Sequence, residues 1–206
     1  DQNSIKHKTY TKEEISNLSG EQVLENILNA NLFTFFRQRP FNVIPNHKIP
    51  PRDIFISGFS TSPLSVDFEV VMASQLEDFQ YGIDAISKLT KGNIFLTTKK
   101  NSILSSIENV KLNTISGPHP AGNVGIQIHH IAHLKPGEVV WTINPQDVAS
   151  LGRLFKNGRY DPKRIISIGG PCVKTPSYFK VIAGVPVKAL IDNNLTSENV
   201  RVISGD

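Results

Sequence analysis

The residues with chemical potential fall into a few clusters, and each also has a plain structural reading. His129, His130 and His133 form H-H-x-x-H. On a helix, His129 and His133 would be i, i+4 neighbours able to share a metal. The preceding alternation of Val124, Ile126 and Ile128 favours an extended segment instead, in which His129 and His130 point opposite ways, and no Glu or Cys stands nearby to complete a ligand set. No metal site is therefore expected. Cys172, the single cysteine, has no sequence neighbour that would stabilise a thiolate and reads as structural. No Ser-His-Asp or Cys-His grouping can be defended from spacing, so no catalytic residue is assigned. The densest cluster is Leu32 to Pro45, LFTFFRQRPFNVIP, where Phe33, Phe35, Phe36 and Phe41 surround Arg37 and Arg39. In an extended segment the two arginines face one side and Gln38 the other, giving a paired-donor edge with aromatic walls. The alternative is that the rings pack a helix end and the arginines pair with carboxylates. His119, between Pro118 and Pro120, is a further candidate donor or proton carrier.

The elements that must position these residues alternate between helix and strand. Residues 1–10 read as a tether. Thr11 with Glu14, Ser19 with Gln22, and Ser74 with Glu77 have capping-box spacing and predict three helix starts. The second helix carries Val23, Leu24, Ile27 and Leu28 and ends near Asn31. The third carries Leu76, Phe79, Ile83 and Ile86 and stops at Gly92. Strands are expected at Asp53 to Phe59, Asn93 to Thr98 and Val110 to Ile115, with a short Ser102-capped helix between the last two. That order predicts a parallel sheet, with ligand-accessible loops at the strand ends, Gly58 to Pro63, Thr97 to Asn101 and Gly117 to Gly122. VVWTI (Val139 to Ile143) is an apolar run. Asn144-Pro145-Gln146-Asp147 then supplies an N-cap, a proline at the first helical position and an acid in the first turn. Val148, Leu151 and Phe155 line one face of that helix, and Gly158 ends it. From Arg164, IISIGG, YFKVIAG and VRVISG are three short strand candidates around a helical piece at Val187 to Asn193, so a second small core is expected beyond Gly158 to Arg164.

Composition narrows the classes. With 206 residues, 39% apolar and 19% charged, the chain is long enough for one full core and a small second one. No apolar run approaches the roughly 18 to 20 residues of a membrane-crossing helix. One cysteine excludes an internal disulfide, and the Asn17 and Asn194 sequons are read as chance. The net charge of +4 spreads 22 basic residues among 18 acidic ones. No basic stripe or nucleic-acid motif results, and nucleic-acid binding is not expected.

HPAG, VVWTINPQDV, GGPCVKTP and RVISGD closely resemble the A-type subunits of the bacterial sodium-translocating NADH:quinone oxidoreductase (Nqr), across the whole chain. Members of that family are about twice this long, so the resemblance, together with a start at Asp1 rather than Met, implies an internal piece. It also implies an α/β chain with a Rossmann-like parallel-sheet domain at residues 1–160, similar to the flavoprotein subunit of respiratory complex I and to the C subunit of the Rnf complex. A small β-grasp domain follows at residues 161–206, and GGPCVKTPSYFKVIAGVPVKALI resembles the soluble-ligand-binding β-grasp type. In those relatives a glycine-rich loop after a helix holds flavin or nucleotide. This chain has FTFFRQRPF there and no G-x-G-x-x-G after its first strand, so neither FMN nor NADH is expected in it. The resemblance places NAD, FMN, FAD and iron–sulfur groups in other subunits of the complex. It further implies a quinone-binding or scaffold role in a redox-driven sodium pump, with the other subunits as partners and a peripheral location on the cytoplasmic face of the inner membrane. Phe33, Phe36, Arg37, Arg39, Phe41 and His119 are the candidate quinone-binding residues, since a quinone needs apolar walls and one or two donors for its carbonyl oxygens. Two alternatives stand beside this: a purely structural docking component, and an FMN- or nucleotide-binding electron-transfer component of Rnf type.

Overall fold

A computed structural model describes residues 5–205. Of the expected tether, residues 1–4 lie outside the described part. Residues 7–10 do not hang free: the His7 and Tyr10 amides donate to the carbonyls of Gly158 and Phe155, both at 2.8 Å, and the Tyr10 ring lies 5.8 Å from that of Phe155.

Helices α1 (Lys12–Ser16) and α2 (Gly20–Asn29) both begin in complete capping boxes. The Thr11 and Ser19 hydroxyls accept from the amides of Glu14 and Gln22, whose side chains accept from the cap amides in return. The aromatic stretch that follows is not an irregular loop throughout. A 3-10 turn at Phe33–Phe35 leads into a short strand, β1 (Arg37–Arg39).

The main sheet adds β2 (Ile54–Ser57), β3 (Ile94–Thr98), β4 (Lys111–Thr114) and β5 (Val140–Thr142), in the order β1-β5-β2-β3-β4. β2, β3, β4 and β5 run parallel, and β1 pairs antiparallel with β5. Alternation along the central strands sorts side chains to two faces. Ile54, Ile56, Ile94, Leu96 and Trp141 join the large core. Phe55, Phe95 and Val140 form a smaller one on the other face, with Phe55 and Phe95 stacked at 4.8 Å.

The large core is completed by α3 (Phe68–Met72), α4 (Leu76–Ile86) and α6 (Pro145–Asn157), and the smaller one by α5 (Val124–Ile131). The Ser74 capping box does not form. Gln75 precedes α4 without a side-chain cap, and Glu77 reaches Lys156 at 2.8 Å instead, so a tertiary ion pair replaces the local bond. α6 starts where expected, with the Asn144 side chain accepting from the Gln146 amide at 3.0 Å, and ends on Gly158 at φ 63°. It is buried on nearly every side, Ser150 and Arg153 included, not along one stripe.

The C-terminal part forms a separate two-stranded antiparallel sheet of β6 (Lys163–Ile168) and β7 (Ser177–Ile182), with a short helix α7 (Lys188–Ile191). The third strand expected at VRVISG is not formed. Val202 and Ile203 are exposed and pair with no edge among the described residues, and an alternating apolar run becomes a strand only where a partner edge is in reach. No described helix is long and apolar enough to cross a membrane.

Candidate functional site

The strand order makes the site. From β2 the chain moves outward through β3 and β4, then returns to place β5 on the other side of β2. The carboxyl ends of β2 and β5 therefore flank a point where successive connections leave in opposite directions, which is where open α/β sheets leave a crevice. A cavity of about 460 Å³ lies there. Ser57 and Thr142 close it from the strand ends, Val124 from the start of α5, and Asn144 and Asp147 from the start of α6. Its outer walls are Phe35 and Arg37 on one side and Arg164 of β6 on the other.

The charged groups around it are engaged. Arg37 folds its guanidinium onto the carbonyls of Thr34 and Phe36, the latter at 2.9 Å. Arg164 pairs with Asp147 and lies over the Phe35 ring, 5.7 Å from its centroid, and burial pulls its pKa below the usual arginine value. The start of α6 is likewise filled: Asn144 caps it, Pro145 carries no N–H, and Asp147 sets a carboxylate in the first turn.

Of the six candidate quinone-binding residues, only Arg37 lines this cavity. Arg39 shares its face of β1, as expected from the two-residue spacing, but its Nε is buried without a hydrogen-bond partner and burial lowers its pKa. Phe33 and Phe36 are core residues, 7% and 0% exposed, with ring centroids 5.4 and 5.3 Å from that of Trp141. Phe41 is 77% exposed. His119 sits in the HPAG loop with its Nδ1 3.3 Å from the Thr61 hydroxyl. Phe35, named in the sequence only as one of the aromatic walls around the arginines, lines it as well, while Thr142, Asp147 and Arg164, the last from the other sheet, were passed over as site residues. The Asn144-Pro145-Gln146-Asp147 cap was a local signal for one wall, while the others depend on β1 lying beside β5.

The loops at the strand ends converge as the parallel sheet requires. Gln127, 1% exposed, accepts from the Thr97 hydroxyl at 2.6 Å and donates to the Ser57 hydroxyl at 2.9 Å and the Gly122 carbonyl at 3.0 Å. The Gly122 amide in turn donates to the Thr61 hydroxyl at 2.9 Å. A side chain at Gly122 would meet the backbone of Ser60 and Thr61, so glycine is required for this close approach. The histidine segment also differs from expectation. It is the helix α5, not an extended run, and it brings His129 and His133 together rather than setting His129 opposite His130.

Comparison with known proteins agrees with this architecture. The family profile described as the NqrA second alpha/beta domain matches residues 18–160, and the one described as the NQRA C-terminal domain matches residues 165–206. NqrA proteins, the A-type subunits of Na(+)-translocating NADH-quinone reductases, are similar along almost the whole chain. The one from Marinomonas sp. is 36% identical over 96% of this chain, that from Neisseria meningitidis serogroup A 37% over 98%, and that from Pasteurella multocida 35% over 98%. The chain spans 44%, 45% and 46% of their lengths, so it corresponds to about half of each. Among solved structures, the NAD+-reducing [NiFe]-hydrogenase in its H2-reduced state superposes with a TM-score of 0.61 at 12% identity, covering 88% of this chain and 40% of that one. The air-oxidised state gives 0.55, with 93% and 44% covered. At that identity the likeness is one of fold. The profile matches to both parts of the chain show that it belongs to the NqrA family of the Na(+)-translocating NADH-quinone reductases.

Proposed function

We propose that this chain forms the quinone-facing and scaffolding part of an NqrA protein in a sodium-pumping NADH:quinone oxidoreductase, working from the cytoplasmic face of the membrane with the other subunits as partners. The observation that carries the reading is the cavity between β2 and β5, with an aromatic wall at Phe35, a guanidinium at Arg37 and hydroxyls at Ser57 and Thr142. A quinone ring fits such walls, and its carbonyl oxygens would accept from the Arg37 nitrogens other than Nη1, which already serves the Thr34 and Phe36 carbonyls. A flavin or nucleotide phosphate fits poorly. The α6 N-terminus that would hold it already faces its own cap and the Asp147 carboxylate, and Arg164 is taken by that carboxylate. In this reading residues 1–160 and 161–206 are two units, and the second supplies Arg164 to the site of the first.

Titrating the purified protein with a short-chain quinone, FMN and NADH tests this directly, and quinone alone is expected to bind. In the assembled enzyme, Arg37→Ala should weaken quinone reduction about ten- to hundredfold, the cost of one charged hydrogen bond, while NADH oxidation by an artificial acceptor persists. Arg39→Ala and Phe41→Ala should have smaller effects, because neither residue lines the cavity. Wild-type quinone kinetics in an assembled Arg37→Ala enzyme would place the site elsewhere.

A second reading, docking without a small ligand, is favoured by one feature. Phe41, Val43, Ile44 and Ile49 are all exposed in the connection after β1, and an exposed apolar cluster of this kind marks an interaction surface. Loss of assembly in a Phe41→Ser, Ile44→Ser double variant, with quinone binding by the purified protein absent, would select it.

A further inference from the structure

The geometry points to a copper(II) site built by His129 and His133, apart from the cavity between β2 and β5. α5 ends at Ile131, the Ala132 amide donates to the Ile128 carbonyl at 3.0 Å, and the next residue brings its ring back over the last turn. The two Nδ1 atoms stand 3.0 Å apart, with ring centroids 4.9 Å apart and planes at 82°. Two imidazole nitrogens so placed either share one proton or direct two lone pairs at one cation.

The pair is held before any ion arrives. Arg52 donates to the carbonyls of Ala132 at 2.7 Å and His133 at 3.1 Å, and is itself anchored by Asp53 and Glu138. The backbone carrying His133 is thus fixed to the start of β2, the kind of outer support that orients metal-ligating histidines.

The ligand type also favours one ion. With metal–imidazole bonds of about 2.0–2.1 Å, two nitrogens this close can share one metal. Imidazole nitrogens suit copper(II), which is the tightest binder of the divalent first-row series. No group of three or more His, Cys, Asp or Glu able to hold a metal occurs among the described residues, so water completes the coordination and the ion exchanges with solvent.

The test is titration of the purified protein with copper(II), followed by calorimetry and electron paramagnetic resonance. One equivalent should bind, with hyperfine structure from two nitrogens. His129→Ala and His133→Ala should each lower the affinity at least tenfold, and His130→Ala should leave it unchanged. All three positions are exposed, so none of these variants threatens the fold. Affinity unchanged in both single variants, a one-nitrogen spectrum, or zinc bound as tightly as copper would overturn the proposal.

Discussion

Arg52 stands just before β2, and its guanidinium ties Asp53, Glu138 and the carbonyls of Ala132 and His133 into one cluster. Burial alone would lower its pKa, but the hydrogen bond and charge of Asp53, and then Glu138, hold it above the usual arginine value. Glu138 lies below the usual carboxylate range, chiefly through the Lys135 amide and then through Arg52. Replacing Arg52 by Ala removes every bond of the guanidinium but leaves the Lys135 amide on Glu138, while the Asp53 side chain, in a residue 5% exposed, keeps only its bonds from Asn93. The expected cost is about 1.5–3 kcal/mol, measured as a lower urea midpoint at neutral pH. A carboxylate whose folded pKa is depressed stabilises above its unfolded pKa and loses that contribution as pH falls through the folded value. The gap between wild type and Arg52→Ala should therefore narrow as pH drops below the ordinary glutamate range. A wild-type midpoint in the variant, or a gap indifferent to pH, would count against this role. The Arg52–Asp53 neighbour pair alone did not mark this cluster, because its other partners lie some eighty residues away.

Between α4 and α6 the packing is backbone against backbone. A Cβ on Gly152 would fall on the Asp78 carbonyl oxygen, and one on Gly82 on that of Val148. Alanine is better than glycine in a helix by about 1 kcal/mol, so Gly152→Ala on a free helix face would stabilise. Here it must push two helices apart, and the expected result is a loss of about 3 kcal/mol in chemical denaturation. A gain in stability would mean the helices are not in this contact. Sequence periodicity located both helices without revealing that glycines set their distance. Element type was legible where the apolar period was clean, as in α4 and β3, and where a cap was written into adjacent residues, as at Thr11, Ser19 and Asn144. It failed at α5, because the buried position between Ile126 and Ile128 is Gln127, a polar side chain satisfied by Thr97, Ser57 and Gly122. At β1 it gave the extended geometry but not the pairing, because three residues of Arg-Gln-Arg carry no strand signal and become a strand only beside β5.

For the molecule as a whole, the question is how firmly the small sheet is joined to the large one. Gln146 bonds both the amide and the carbonyl of Ile165 at 2.9 Å, Arg164 pairs with Asp147, and the Asp67 amide donates to the Tyr178 hydroxyl at 3.0 Å. Gln146→Ala leaves the Ile165 backbone groups without their partner, at a cost of about 1–3 kcal/mol. Hydrogen exchange at Ile165 and proteolysis at residues 158–164 should both accelerate, with little change in the protection of β2 and β3. Unaltered exchange at Ile165 would show that other contacts hold the junction. The parallel strands β2, β3 and β4, the capped helices α1, α2 and α6, the second small unit and the family were legible in the sequence alone, because caps, apolar periods and motif strings each reside in a few consecutive residues. The position of β1 beside β5, the cavity with walls from Arg37 to Arg164, the burial of Phe33 and Phe36, and the meeting of His129 with His133 were decided only by the tertiary structure. Each of these depends on which distant segments pair and on whether a polar side chain finds its partners once buried, and neither is encoded in the spacing of neighbouring residues.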